Sequence, residues 1–326
     1  MGKRIRYAVQ AEDLPCTVEA LLKKRLGLTA HQIRSAKFRQ EGITLNGVRT
    51  RITGCPKPGD LLEVLLEQEE DCRSCMEAAG EPPEILYEDE DLIVVNKQPG
   101  IPVHPGHGHY QDTLANRLLS YFQQKGERVT IRAVGRLDKD TSGIVVFAKN
   151  RVAATRLAGN GIQKEYLALV RGHLPEQEGC VELPIAKKAG ALNQMEISGN
   201  GSFARTHYRV LEEYEKESLV RLWLDTGRTH QIRVHMAALG CPLLGDPIYG
   251  GTGKQKKSES ETGEETESGC REKGKFRRTA LHCVQAEILQ PFSGKKIWCR
   301  AALPEDFLVI VQVPLSRKVL SRRIRR

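Results

Sequence analysis

Apolar positions in the first part of the chain recur at two periods. In VEALLKKRLGL, Val18, Leu21, Leu22 and Leu26 stand three and four apart and predict one buried helix face, closed by Gly27. Thr29 is placed to cap a second helix through AHQIRSAKFRQEG, stopped at Gly42. ITLNGVRT and LLEVLL then predict strands, with Asn46-Gly47 as a hairpin turn and Pro58-Gly59-Asp60 as another. Residues 12–66 therefore read as one small module. Residues 67–84 break the pattern; acidic and rich in Gly, Pro and Ala, they read as a linker.

From residue 85 short strands dominate. ILYEDEDLIVVNKQPG predicts two strands around an acidic turn, and GIVVFAK, KEYLALVRG, ARTHYRVLEEY, SLVRLWLD and ALHCVQAEIL predict one each. Helices fall at TLANRLLSYFQQK, with Thr113 near its start, and at RVAATRLAG and HQIRVHMAALG. Interspersed short helices without a βαβ repeat predict an α+β domain over 85–313. Inside it, residues 250–278 have almost no apolar content and read as a flexible insertion. Residues 314–326 form a basic tail that either reaches phosphates or is a solvated, frayed end.

Composition narrows the class only a little. The chain has 326 residues, enough for about two domains. Lys and Arg number 50 against 41 Asp and Glu, a net charge of +9 that allows a polyanionic partner without requiring one. No apolar run spans a bilayer and MGKRIRYAVQ has no signal-like core, so a cytoplasmic protein without a membrane partner is expected. Nine scattered cysteines fit free thiols. Cys72 and Cys75 form a lone CxxC with no second ligand pair, which reads as two linker thiols rather than a zinc site.

Three segments carry candidate chemistry. In GRLDKDTSGIVVFAK, Asp138 and Asp140 stand beside Arg136 and Lys139 in a turn feeding an apolar strand. By pattern alone Asp140, Thr141 and Ser142 stabilise that turn. In DTGRTHQIRVHMAALGCPLLGDPIYG, Arg228, His230, Gln231, Arg233 and His235 crowd one short window and point to an anion-binding site. Metal binding by His230 and His235 is weaker, since i and i+5 lie on different helix faces. PGIPVHPGHGHYQDTL holds His104, His107 and His109; zinc, structural and RNA-contacting readings all remain open, with zinc the least supported.

The order of a helix pair, LNG and PGD in residues 12–66 resembles the S4 RNA-binding domain, a small α/β module. The resemblance implies RNA contacts for Arg34, Lys37, Arg39 and Asn46, whereas periodicity alone leaves the basic face solvated. GRLDKDTSGIVVFAK resembles the catalytic motif of RluA-type pseudouridine synthases, usually HRLDxxTSG followed by AK. KEYLALVRG resembles their tyrosine motif and TGRTHQIRVHMAALGCPLLGDPIYG their basic motif. PVHPGHGHYQDTLANRL and TALHCVQAEILQPFSGKKIWCRAALPEDF resemble the histidine loop and the closing strands, and all five follow the family order over 85–308. The implied fold is a mixed, mainly antiparallel sheet with flanking helices and loops, behind an S4-like module.

The resemblance implies that Asp138 is the catalytic aspartate and Tyr166 the tyrosine that packs on the target base, a candidate proton acceptor. Arg233 would pair with the aspartate, favouring its charged form, and Arg136 would open the RNA around the flipped nucleotide. Leu137, Thr141, Arg228, His230, Gln231, His104 and His109 would complete the substrate site. Gly135 stands where the family often has His. The implied reaction breaks the N1–C1′ bond of uridine and rejoins the base through C5, needing no cofactor and no metal. The expected partner is RNA, large-subunit rRNA ahead of tRNA, and the expected state a monomer. A non-catalytic S4-type RNA-binding protein, a structural ribosomal component and a metal hydrolase using the histidine loop are the rival readings.

Overall fold

The computed structural model describes residues 3–66, 76–106, 108–127, 129–250 and 276–311. Cys72, Cys75, His107, residues 67–75 of the expected 67–84 linker, residues 251–275 of the expected 250–278 insertion and the basic tail lie outside the described residues. In the rest of the expected linker Met76 packs on the core and Glu77 and Ala79 bond Asn116.

The N-terminal unit comprises β1 (Lys3–Ala8), α1 (Val18–Lys24), α2 (Ala30–Lys37), β2 (Ile43–Leu45), β3 (Val48–Arg49) and β4 (Leu61–Leu66). Its antiparallel sheet runs β1-β4-β2-β3. Val18, Leu21, Leu22 and Leu26 pack in its core, and Thr29 accepts from Gln32 N as the cap of α2. Asn46 and Gly47 turn the β2–β3 hairpin with φ of 53° and 78°, the backbone that Asn-Gly favours. The expected boundary at residue 12 is corrected, because β1 pairs with β4 along its whole length. Only Ile5 is deeply buried in KRIRYA, so its hydrophobic alternation is too weak to signal a strand.

The larger unit contains β5 (Glu84–Glu88), β6 (Leu92–Lys97), α3 (Leu114–Gln124), β7 (Arg132–Val134), β8 (Ser142–Ala148), α4 (Arg151–Asn160), β9 (Ile162–Arg171), β10 (Glu178–Glu182), β11 (Ile185–Lys187) and β12 (Met195–Ile197). It continues with β13 (Arg205–Glu213), β14 (Glu217–Leu224), α5 (Gln231–Ala238), β15 (Leu281–Leu289), β16 (Lys296–Arg300) and α6 (Glu305–Ile310). The main sheet runs β10-β13-β14-β9-β15-β8-β6-β5, with β7 added on β8 and β16 on β15; β11 and β12 form a separate hairpin. Its pairings are antiparallel except β8 with β15, so the architecture is α+β with a mixed, mainly antiparallel sheet. β6 and β8 are buried along their full length, as their unbroken apolar runs require of strands covered on both faces. Among the described residues, no helix is long and apolar enough to cross a membrane.

β15 positions the site. Cys283 lies opposite Gly143 of β8 on one side and Tyr166 of β9 on the other. Gly143 has φ of +105°, and a Cβ there would fall 2.2 Å from the Cys283 carbonyl oxygen. Only glycine allows this close approach. The segment just before Gly143 is thereby brought beside Tyr166. Residues 276–278, expected within the flexible insertion, are packed instead: Phe276 meets Phe307 edge-on and Arg278 grips Asp306 of α6. Arg156 of α4 ties the two units, donating to Leu26 O (2.9 Å) and Pro291 O (2.7 Å), while Val152 enters the N-terminal core.

Glu88 ends β5 as the hub of a charged cluster, accepting from Tyr121 (2.7 Å), Lys149 (2.5 Å) and Lys125 (3.2 Å). Burial alone would raise its carboxyl, but bonds from Lys149, Tyr121 and Lys125 outweigh it and bring it from 4.5 to about 2. A depressed folded-state value stabilises above the unfolded value and is lost as pH falls toward the folded one. Glu88→Gln is therefore expected to lower the melting temperature at neutral pH, the gap narrowing as pH falls from about 6 to about 3. Melting curves across that range check it; a constant gap would contradict the assignment.

Candidate active site

The turn between β7 and β8 carries Asp138. Gly135 bends the chain with φ of +75°, and Leu137 is buried, which leaves its neighbours Arg136 and Asp138 on the wall of a cleft. Thr141 N donates to Asp138 O at 3.1 Å, a main-chain bond that closes the turn. The side chains of Asp140, Thr141 and Ser142, expected to stabilise it, make no hydrogen bond within it among the described residues. Two cations hold this turn by its carbonyls. Lys97, fully buried, donates to Lys139 O (2.8 Å), Gln98 O (3.0 Å) and Ile101 O (2.9 Å). Burial pulls Lys97 down to about 7. Arg278 donates to Asp140 O (3.0 Å) while its other nitrogens hold Asp306 at 2.6 and 2.9 Å. Ser142 bonds His282 Nδ1 at 2.9 Å, adding a side-chain link to the β8–β15 seam.

Arg233 reaches the turn from α5. Its Nη1 donates to Asp138 Oδ2 at 3.1 Å, while Nε and Nη2 grip Asp246 at 2.7 and 2.8 Å. Asp246 also accepts from Ile248 N and Tyr249 N. Burial would raise its carboxyl, but Arg233 and these backbone donors hold it below the ordinary range. The planar guanidinium is thus fixed by a bidentate pair and presents one remaining edge to Asp138. Tyr249 lies against it, 5.1 Å from ring centre to Cζ.

His230 precedes α5 in the left-handed region, φ 56°. The Tyr249 hydroxyl accepts from Met195 N (2.8 Å) and shares a hydrogen bond with His230 Nδ1 (2.9 Å). Burial holds the imidazole below the ordinary histidine range, and its Nε2 lies 3.8 Å from Asp138 Oδ2.

The cleft, of about 530 Å³, is lined by Arg136, Asp138, Thr141, Tyr166, Arg228 and Arg233, with Leu137, His230 and Gln231 also in its wall. Tyr166 is 7% exposed, and burial, then Cys283 and Asp138, raise its hydroxyl well above the ordinary range, keeping a neutral phenol. Thr141 Oγ1 is buried with no hydrogen-bond partner among the described residues.

Several expected contacts are placed elsewhere. Gln231, though in the cleft wall, has its amide fully engaged within the protein, accepting from Thr226 and Arg228 N and donating to Arg205 O and Thr206, which fixes the loop before α5. His104 and His109 do not line the cleft: His104 packs edge-on against Phe147, and His109 bonds Asp112 (2.5 Å) and Lys139 (3.3 Å). Asn46 donates to Asp60 and accepts from Leu61 N, closing its own turn. Arg34 and Lys37 are exposed on α2, and Arg39 is half-buried just beyond it, bonded to Ser35. His235 is buried and bonded to Thr206 and Leu183 O. Among the described residues no cluster of His, Cys, Asp or Glu is arranged to hold a metal.

Asp246, Tyr249, Lys97 and Arg278 were not singled out from the sequence. A lysine closing the apolar run LIVVNK was a signal, since a buried ammonium must find acceptors. Asp246, ahead of a proline, reads locally as a turn residue.

Residues 91–238 match the family model described as RNA pseudouridylate synthase. A ribosomal large subunit pseudouridine synthase D of Haemophilus ducreyi is 38% identical over 275 residues, covering 83% of this chain and 81% of that protein. An uncharacterised RNA pseudouridine synthase of Bacillus subtilis is 34% identical over 291 residues, covering 88% and 95%. Among solved structures, human RNA pseudouridylate synthase domain containing 1 superposes with a TM-score of 0.53 at 28% identity, covering 69% of this chain and 84% of that one.

Proposed function

The chain belongs to the RNA pseudouridylate synthase family and is an RNA-modifying isomerase, and we propose that it converts uridine in large-subunit rRNA to pseudouridine using Asp138, Tyr166 and Arg233. The observation that carries this reading is the Asp138–Arg233 pair at 3.1 Å, lining one cleft together with Tyr166. The rRNA assignment draws on the large-subunit enzymes among the relatives.

The target base is flipped into the cleft, because a stacked uridine is out of reach of Asp138. Arg136, exposed on the cleft wall, takes the space the base leaves. The Asp138 carboxylate acts at the sugar, either attacking C1′ or removing the 2′ proton. By both routes the N1–C1′ bond breaks, a C5–C1′ bond forms, C5 loses a proton and N1 gains one. Arg233 holds the carboxylate in place, and its own position is set by Asp246 before substrate arrives. Tyr166 supplies a stacking face that tolerates rotation of the detached base, and the unpartnered Thr141 hydroxyl supplies a hydrogen bond. Arg228 and the His230 imidazole complete the polar wall.

Residues up to 66 serve as an S4-like RNA-binding module, with Arg34, Lys37 and Arg39 facing phosphates, and 85–313 as the catalytic domain. The enzyme acts as a cytoplasmic monomer. Mapping pseudouridines in large-subunit rRNA from cells lacking the protein tests the assignment: at least one site should vanish and return with the wild-type gene but not with Asp138→Ala. An unchanged map would reject it.

Tyr166→Phe keeps the ring and removes the hydroxyl. It is expected to lower kcat by about 10²-fold with KM little changed, if the hydroxyl takes part in proton transfer. Tyr166→Ala also forfeits stacking worth ~1–3 kcal/mol and should raise KM as well. Steady-state kinetics on an rRNA transcript separates the two.

A further inference from the structure

Lys164 is a cation of the cleft that the reaction above leaves without a task. It stands two residues before Tyr166 on β9, so both side chains leave the same face of the strand, about 6–7 Å apart along it. Ile162, Lys164 and Tyr166 line the cleft in alternation. Across the ladder toward β15 Lys164 faces the methyl of Ala286. Its neighbour Glu165 belongs to the opposite face, where it lies 3.8 Å from Arg221. Among the described residues no carboxylate comes within ion-pair distance of Lys164, although the side chain is half-buried and burial draws it below the ordinary lysine range.

A half-buried ammonium without a counter-charge is costly, and the cost is recovered when an anion enters. The cleft has room for more than a uracil ring. Near Lys164 its wall is completed by Gly159 and Gly161, and a Cβ built on Gly159 would meet nothing within 4 Å. We propose that Lys164 binds a backbone phosphodiester flanking the flipped uridine, holding the RNA strand at the α4 end of the cleft. A phosphate fits better than a uracil carbonyl, because the base must detach and turn while the backbone stays in place. A contact that persists unchanged through the reaction contributes to binding and not to the chemical step. The inference rests on the reading that this cleft receives a flipped uridine.

The test uses the full-length protein, Lys164→Gln, Lys164→Arg and an unmodified transcript of large-subunit rRNA. Lys164→Gln is expected to raise KM and the direct binding constant about 10-fold with kcat within about twofold, and Lys164→Arg to restore most of the affinity. The slope of log affinity against log salt should fall by about 0.7, one phosphate contact on a single strand. An unchanged binding constant and salt slope would overturn the proposal, as would a loss confined to kcat, which would place Lys164 on the reacting base. A wild-type protein that binds the transcript but forms no pseudouridine would instead count against the functional reading, while the binding arm still reports on Lys164.

Discussion

Asp138→Asn is expected to lower the rate of pseudouridine formation by at least ~10⁴-fold while RNA affinity stays within a few-fold of wild type. In the proposed reaction the carboxylate is the reacting group, and the amide is neither a nucleophile nor a base. It is close in size, so the turn survives: Lys97 and Arg278 hold its carbonyls at Lys139 and Asp140, and Leu137 anchors it in the core. Arg233 also keeps its place, since its two bonds to Asp246 do not depend on Asp138. Single-turnover kinetics and direct binding to the same transcript check both halves. Activity within tenfold of wild type would remove Asp138 from the chemistry, and joint loss of binding and melting temperature would make its role structural.

Asp246→Ala carries the largest expected stability loss, about 3–5 kcal/mol. Arg233 is 5% exposed and Asp246 6%, so deleting the carboxylate strands a buried guanidinium and two backbone N–H groups, those of Ile248 and Tyr249. Asp246→Asn retains one acceptor and should fall between the two. Turnover should suffer as well, because Arg233 would no longer present a fixed edge to Asp138. Denaturant unfolding measures the first effect and kcat on folded protein the second. A cost below about 1 kcal/mol would show that the guanidinium finds other partners or reaches water.

Much of this arrangement was legible along the chain, and for local reasons. Thr29 and Thr113 cap their helices because a hydroxyl three residues before an amide meets it in the first turn. The Asn46-Gly47 turn follows from backbone preference alone. Asp138 is different: pattern offered only a turn stabilised by side chains, whereas a main-chain bond closes it, and the catalytic role proposed for Asp138 came from the resemblance of GRLDKDTSG to a catalytic motif. Gln231 and Asn46 show what pattern leaves out. Their residue types suggest base or phosphate contacts, yet the Gln231 amide makes four bonds within the protein and the Asn46 amide two. Sequence lists donors and acceptors but not their partners. His104 and His109 were drawn toward the site by motif position, and the loop's packing on Phe147 and Asp112 sets them apart from the cleft.

Helices, turns, most strand runs and the α+β class were determined by the sequence, since propensity, capping and hydrophobic period act over a few residues; the roles proposed for Asp138, Tyr166 and Arg233 came from the motif resemblance. Only the tertiary structure decided that Asp138 meets Arg233 across 95 positions and that Asp246 completes the pair. It also placed Cys283, beyond the insertion, between Gly143 and Tyr166. Such meetings depend on the order and register of β9, β15 and β8 in the sheet, and those are settled by burial and backbone pairing between distant segments rather than by any local preference.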